Sequence, residues 1–182
     1  MQILIISSNL IGDTILSTGI VNSFHHKFPK AKFTFVIGPS AGQIYNNFPA
    51  KEKIILVKKR NFNLHWLDIY LRVSKTKWSI VIDFRSSFIS YFLNKSKKYI
   101  FKKNKNLNHL DQLNFFFNIR NSLIYVHTNE KEENEAKKKL NRINKYIVLF
   151  PGGNWKPKIW PIEYFNKLIK DLNNNYPNLK FV

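Results

Sequence analysis

An α/β fold built on a parallel sheet is predicted by three features of the chain: short apolar runs rich in β-branched and aromatic residues, helical spacing between them, and turn-forming residues at the junctions. The first run, "ILII" (3–6), reads as a buried strand, and residues 14–24 place apolar side chains on one helical face. "AKFTFVI" (31–37) alternates and carries aromatic and β-branched residues, so it reads as a second strand, closed by a turn at Gly38 and Pro39. "KIILV" (53–57) is a third strand, "LHWLDIYLRV" (64–73) has helical spacing, and "WSIVIDF" (78–84) is a fourth strand. "SSFISYFL" (86–93), "KKYIFK" (97–102) and "HLDQLNFFFNIR" (109–120) continue the alternation. Strands and helices in turn imply a parallel sheet with helices on both faces.

The stretch 129–145, "NEKEENEAKKKLNRINK", has only Ala136, Leu140 and Ile143 as apolar side chains, and its glutamates precede its lysines. It reads as an exposed helix linking two domains. A new strand, "YIVLF" (146–150), then enters "PGGNWKPKIWP" (151–161), followed by an amphipathic segment (162–172) and "NLKFV" (178–182). The expected partition is a first domain over 1–128, a charged linker over 129–145 and an incomplete second domain over 146–182. One helix and two strands cannot enclose a core, so that last part must lean on the first domain or expose apolar surface.

Composition narrows the class. With 182 residues, 44% of them hydrophobic, the chain can bury a real core and is not disordered. The absence of cysteine excludes disulfides, thiolate nucleophiles and cysteine-bound metals. The five histidines have no metal-ligand spacing and read as structural, and no cofactor is expected. No secretory signal or bilayer-length apolar stretch is seen, so a cytoplasmic location is expected. The net charge of +19 and pI near 10.1 fit a polyanionic partner, but lysine scattered from Lys27 to Lys180 is also what an AT-rich coding sequence produces. The densest basic stretch, "NKSKKYIFKKNKN" (94–106), is either solvated or lies against phosphates or anionic head groups. No nucleic-acid-binding module is recognisable, so nucleic acid is not an expected partner.

Two loops could carry chemistry. "NLIGDTIL" (9–16) puts Asp13 where the first strand hands over to the first helix. There it can serve the helix start, meeting the dipole and orphan N–H groups, or face a ligand at the carboxyl end of the sheet. In "FPGGNWKPKIWP" (150–161), Gly152 and Gly153 let the backbone approach a ligand, Asn154 offers an amide, and Lys158 lies ahead of a helix that Pro161 could start. That is either a phosphate cradle or an ordinary turn with a solvated lysine. It contains neither a P-loop nor a G-x-G-x-x-G fingerprint. Arg85 could meet acceptor phosphates or carboxylates, or pair with Asp83.

Taken together, "LIGDTILSTGIVNSFHHKFPKAKFTFVIGP", "WSIVIDFRSSFISYFL" and "YIVLFPGGNWKPKIWPIEYFNKLIKDL" resemble the family 9 glycosyltransferases, the bacterial heptosyltransferases. In these the Gly-Asp pair precedes a helix and a small-polar turn, here "STG", and the second domain opens on a glycine loop followed by Lys-x-Trp-Pro. The resemblance implies a GT-B fold of two Rossmann-like halves with the active site between them, here truncated in the C-terminal half. It implies inverting, metal-independent transfer of a heptose from ADP-heptose to the lipopolysaccharide inner core, with peripheral contact at the inner membrane face. Carried over by motif, Asp13 matches the general base, Lys158 the residue that offsets charge on the departing diphosphate, and Gly152, Gly153 and Asn154 the donor-phosphate loop. The alternative is a non-catalytic module holding a polyanionic glycolipid or nucleotide.

Overall fold

The computed structural model describes residues 1–58, 64–103, 107–140, 145–153 and 156–182, and it divides into two compact units, Met1–Asn129 and Glu130–Val182. In the first unit, five strands, β1 (Gln2–Ile6), β2 (Lys32–Ile37), β3 (Lys51–Leu56), β4 (Trp78–Asp83) and β5 (Lys95–Ile100), form one sheet in the order β3-β2-β1-β4-β5. Every neighbouring pair is parallel. The helices are α1 (Ile11–Lys27), α2 (Pro39–Gly42), α3 (His65–Val73), α4 (Ile89–Phe92) and α5 (His109–Phe117).

The apolar runs fold this way because a strand sends successive side chains to opposite faces, and here both faces are covered. Ile3, Ile5, Phe33, Phe35, Ile37, Ile80 and Ile82 join a core with Ile20, Val21 and Phe24 of α1 and Leu113 of α5. Leu4, Ile6, Val36, Ile55 and Val81 point the other way, to Ile69 and Val73 of α3 and to Ile89 and Leu93 beside α4. The first core is strongly aromatic: Phe35 stacks on Tyr45 at 4.1 Å, and Phe48 meets Phe33 edge-on at 5.1 Å. β5 at the sheet edge carries Lys95, Lys97 and Lys98, and charge of this kind discourages edge-to-edge pairing.

Helix α1 is longer than the predicted 14–24 and has no simple apolar face; Thr14, Ser17, Thr18 and Asn22 are buried with Ile20, Val21 and Phe24. These polar groups find local partners. The Ser17 hydroxyl donates to the Thr14 carbonyl at 2.8 Å, and the Thr18 hydroxyl to the Ile15 carbonyl at 2.7 Å. The "STG" expected as a turn is therefore helix interior. Gly19 is required there because a Cβ would stand 2.8 Å from the Ser122 side chain. Asn22 and Thr18 hold the segment after α5 against the helix, through Asn22 Nδ2 to the Tyr125 carbonyl (2.9 Å) and the Tyr125 N–H to Thr18 Oγ1 (3.3 Å).

The second unit contains α6 (Glu130–Leu140), β6 (Tyr146–Ile147), α7 (Ile162–Asn175) and β7 (Lys180–Phe181), with β6 and β7 paired in parallel. The expected strand over 146–150 is thus only two residues long. Neither α6 nor α7 buries a residue, and Phe150, Trp160, Ile162 and Tyr164 are exposed. Among the described residues no helix is long and apolar enough to cross a membrane.

Candidate active site

The strand order reverses direction between β1 and β4, and in an open parallel sheet such a switch point leaves a crevice at the carboxyl ends of the strands. A cleft of about 550 Å³ lies there, lined by Ser8, Asn9, Leu10 and Asp13 after β1, by Phe84, Arg85 and Ser86 after β4, and by Phe101 and Lys103 after β5.

Each wall is fixed by its own sequence. After β1, the Thr14 hydroxyl donates to the Ser8 carbonyl at 3.3 Å and lies 3.4 Å from Ser7 Oγ, while Ser8 Oγ accepts the Leu10 N–H at 3.1 Å. Gly38, at the start of α2, lets this loop approach closely. A Cβ on it would sit 2.6 Å from Asn9 Oδ1 and 2.8 Å from the Asn9 Cα.

After β4, the fully buried Asp83 carboxylate organises the turn. Oδ1 accepts the Arg85 N–H at 2.8 Å, and Oδ2 accepts the Ser87 N–H at 2.7 Å and the Ser87 hydroxyl at 2.6 Å. Burial pushes its carboxyl above the ordinary carboxylate value, against the pull of those hydrogen bonds. Ser86 adopts a left-handed backbone conformation (φ 53°) and donates its hydroxyl to the Phe101 carbonyl at 2.6 Å, tying this turn to the end of β5.

Asp13 sits in the first turn of α1, as expected for a residue that complements the helix dipole, but it does not cap the helix; the cap position is Leu10, with no side-chain hydrogen bond. Its half-buried carboxylate faces the cleft instead. Oδ2 is 3.0 Å from Lys103 Nζ and accepts a long hydrogen bond, 3.5 Å, from the Ser8 hydroxyl. His109, at the start of α5, feels both charges. Burial holds it below its ordinary value, Asp13 pulls it up and Lys103 pushes it down.

The Arg85 guanidinium makes no ion pair with Asp83. It lies 5.0 Å over the Trp66 ring and donates to Asn9 Oδ1 at 3.1 Å; Asp83 accepts the Arg85 backbone N–H and acts on the guanidinium only at longer range, raising its pKa against the lowering by burial. The cleft therefore brings together one acidic side chain, Asp13, and two basic ones, Arg85 and Lys103. Chemically it can accept a proton at Asp13 beside a bound anion.

In the second unit the glycine loop enters a 3₁₀ turn (Lys156–Lys158), and α7 starts at Ile162 with Pro161 as its cap residue. Gly152 has nothing within 4 Å of a built Cβ, and neither glycine needs a positive φ, so the loop imposes no demand of its own for glycine at Gly152. Asn154 lies outside the described residues, and so does the Lys158 side chain. Among the described residues no cluster of metal-ligating side chains exists.

Reading the sequence picked out Asp13 and Arg85 but not Lys103 or Asn9 as their neighbours. Lys103 was one of many lysines in the basic stretch 94–106. Only the position of β5 beside β4 brings it to Asp13.

Residues 111–182 match the family model described as glycosyltransferase family 9 (heptosyltransferase). No curated protein matches the chain. Among solved structures, a family 9 glycosyl transferase from Veillonella parvula is 16% identical with a TM-score of 0.74, covering 99% of this chain and 61% of its own. E. coli heptosyltransferase WaaC with ADP is 14% identical with a TM-score of 0.67, covering 100% of this chain and 75% of its own. E. coli ADP-heptose lps heptosyltransferase II is 14% identical with a TM-score of 0.66, covering 96% and 62%. These likenesses establish the fold. The chain spans under two thirds of the length of the Veillonella structure.

Proposed function

We propose that this chain, which carries the family 9 glycosyltransferase match over residues 111–182 and the fold of the solved heptosyltransferases throughout, serves inverting transfer of a heptose from a nucleotide diphosphate sugar to a glycolipid acceptor. The observation that carries the reading is a half-exposed Asp13 carboxylate, held at the switch-point crevice between Lys103 and the Ser8 loop. ADP-heptose as donor and the lipopolysaccharide inner core as acceptor are the finer part of the proposal. They are supported by the neighbours, whose structures hold ADP and ADP-2-deoxy-2-fluoro heptose.

In this reading the acceptor hydroxyl oxygen attacks the anomeric carbon while the bond from that carbon to the diphosphate oxygen breaks. The electron pair leaves on the diphosphate, and the acceptor proton passes to Asp13. The hydroxyl becomes acidic only as its new bond forms, so a carboxylate is a sufficient base late in the displacement. Lys158 and the backbone N–H groups of Gly152 and Gly153 are the proposed donors to the leaving diphosphate, where fixed positive charge lowers the barrier most. Arg85 and Lys103 are suited to an anionic group on the acceptor. Positive charge in the same cleft also favours a second reading, a module that holds a polyanionic glycolipid or nucleotide without turning it over.

Asp13→Asn separates the two. With ADP-heptose and a deep-core acceptor, the transfer reading expects a rate loss of roughly 10²–10⁴-fold with the acceptor still bound. Transfer by the unsubstituted chain no faster than by the variant would leave only the binding reading.

A further inference from the structure

We propose that residues 121–128 form an acid-released strap, latched on α1 at neutral pH through Asn22 and His127 and freed when the histidines around that latch take up protons. The segment leaves α5 and lies along α1 before α6 begins. Little apolar burial holds it, since Leu123 is 75% exposed and Tyr125 51%. Its attachment is polar. The buried Asn22 uses both ends of its amide, Nδ2 donating to the Tyr125 carbonyl at 2.9 Å and Oδ1 facing His127 Nε2 at 3.0 Å. An amide oxygen can only accept, so Nε2 carries the hydrogen of the neutral ring, and Nδ1 is left to take a proton in acid. The Tyr125 N–H adds a third bond, to Thr18 Oγ1 at 3.3 Å.

Three imidazoles meet at this latch. Phe48 contacts two of them edge-on, with ring centroids 5.2 Å from His25 and 5.4 Å from His127, and His26 lies 6.2 Å from His25. His25 Nδ1 is buried without a hydrogen-bond partner, so a proton placed there would be a dehydrated N–H with nothing to accept it. The titratable groups that face His127 are His25 and His26 from α1 and Tyr125 within the strap, at 4.9 Å; the turn before β3 offers the uncharged Phe48 ring. Burial, then His25 and His26, hold His127 below the ordinary histidine value; burial, then His26, does the same to His25.

The hydrogen bond to Asn22 survives protonation of His127. What becomes unfavourable is the grouping of like charges in one partly dehydrated seam, on a chain whose net charge is already +19. Once released, the imidazoles return toward their ordinary value of 6.5, so the free strap binds more protons than the latched one. The latch therefore holds fully above that value and weakens as pH falls below it. A cavity of about 270 Å³ between α1 and the strap, bordered by Ser23, His26, Tyr125 and His127, gives water access to the rings. Release frees the whole of 121–128 as unanchored chain between α5 and the start of the second unit. None of this rests on the proposed transfer reaction.

The test is hydrogen–deuterium exchange of the full chain at about pH 7.5 and about pH 5.5, corrected for the intrinsic rate and read peptide by peptide. Strap protection should fall about fivefold or more at the lower pH, while peptides from β1 and β4 keep theirs. His127→Gln keeps a donor for Asn22 but cannot titrate, and should flatten most of that response. His26→Gln, at an exposed ring, should reduce it by about half. Asn22→Ala should lose strap protection at both pH values. If N22A or H127Q does not hold its fold, H26Q carries the test. Strap protection that ignores pH in the unsubstituted chain, or a response of full size in both H127Q and H26Q, would overturn the proposal. So would loss of protection in β1 and β4 together with the strap, which is global acid unfolding.

Discussion

The two units use the same local grammar, a strand, a glycine-bearing loop and a helix, yet they differ in what holds the loop. After β1 the helix packs its buried side on one face of the five-stranded sheet, and the loop is tied to it through Thr14 and Ser8. In the second unit β6 and β7 are two residues each, α7 buries nothing, and the glycines at 152 and 153 meet no close backbone. A site becomes precise when its supporting elements are packed on both sides, and the glycine content of the loop does little by itself.

The largest expected break in that contrast comes from the cores. Phe35→Ala removes a fully buried ring stacked on Tyr45 and should cost about 3–5 kcal/mol, read as a lower urea midpoint of the main unfolding transition. Phe165→Ala in α7, where the ring meets only Trp160 edge-on among the described aromatic contacts, should leave that midpoint unmoved. Equal losses would mean that the two units fold as one.

Glycines give the next effect. Gly38→Ala forces the Asn9 backbone to shift and should cost about 1–3 kcal/mol, with a matching loss of whatever Arg85 holds through Asn9. Gly152→Ala should stay within about 0.5 kcal/mol in stability. If the glycine is there for a donor phosphate, isothermal titration will show weaker nucleotide-sugar binding in this stable variant.

The smallest effect is a slope with pH. Burial raises the native Asp83 carboxyl above its ordinary value of 3.8, so in the interval just above that value the native chain holds a proton the unfolded chain has released. Stability should therefore fall as pH rises through that interval. Asp83→Asn should remove this part of the slope in urea midpoints measured across the acid range.

Much of the first unit was legible in the sequence. "ILII" is apolar on both alternating sets, while "AKFTFVI" and "WSIVIDF" are apolar on one set and mixed on the other, and each became a strand covered on both faces. α1 was underestimated because its buried face uses serine and threonine hydroxyls bonded to the preceding turn, which apolar periodicity does not register. Asp13 was visible as a carboxylate behind a strand, but capping and facing a ligand produce the same sequence pattern. For Arg85 the sequence left open an acceptor contact or an ion pair with Asp83; the second does not form, because the carboxylate is engaged by backbone N–H groups and a serine.

What the sequence determined alone is therefore local: which runs must be buried, where the chain turns, and that acid, base and glycine follow particular strands. The tertiary structure decided the neighbours. Strand order is set by packing between segments far apart in the chain, so only the folded unit could bring Lys103 within 3.0 Å of Asp13, ninety positions earlier, and set His127 3.0 Å from Asn22.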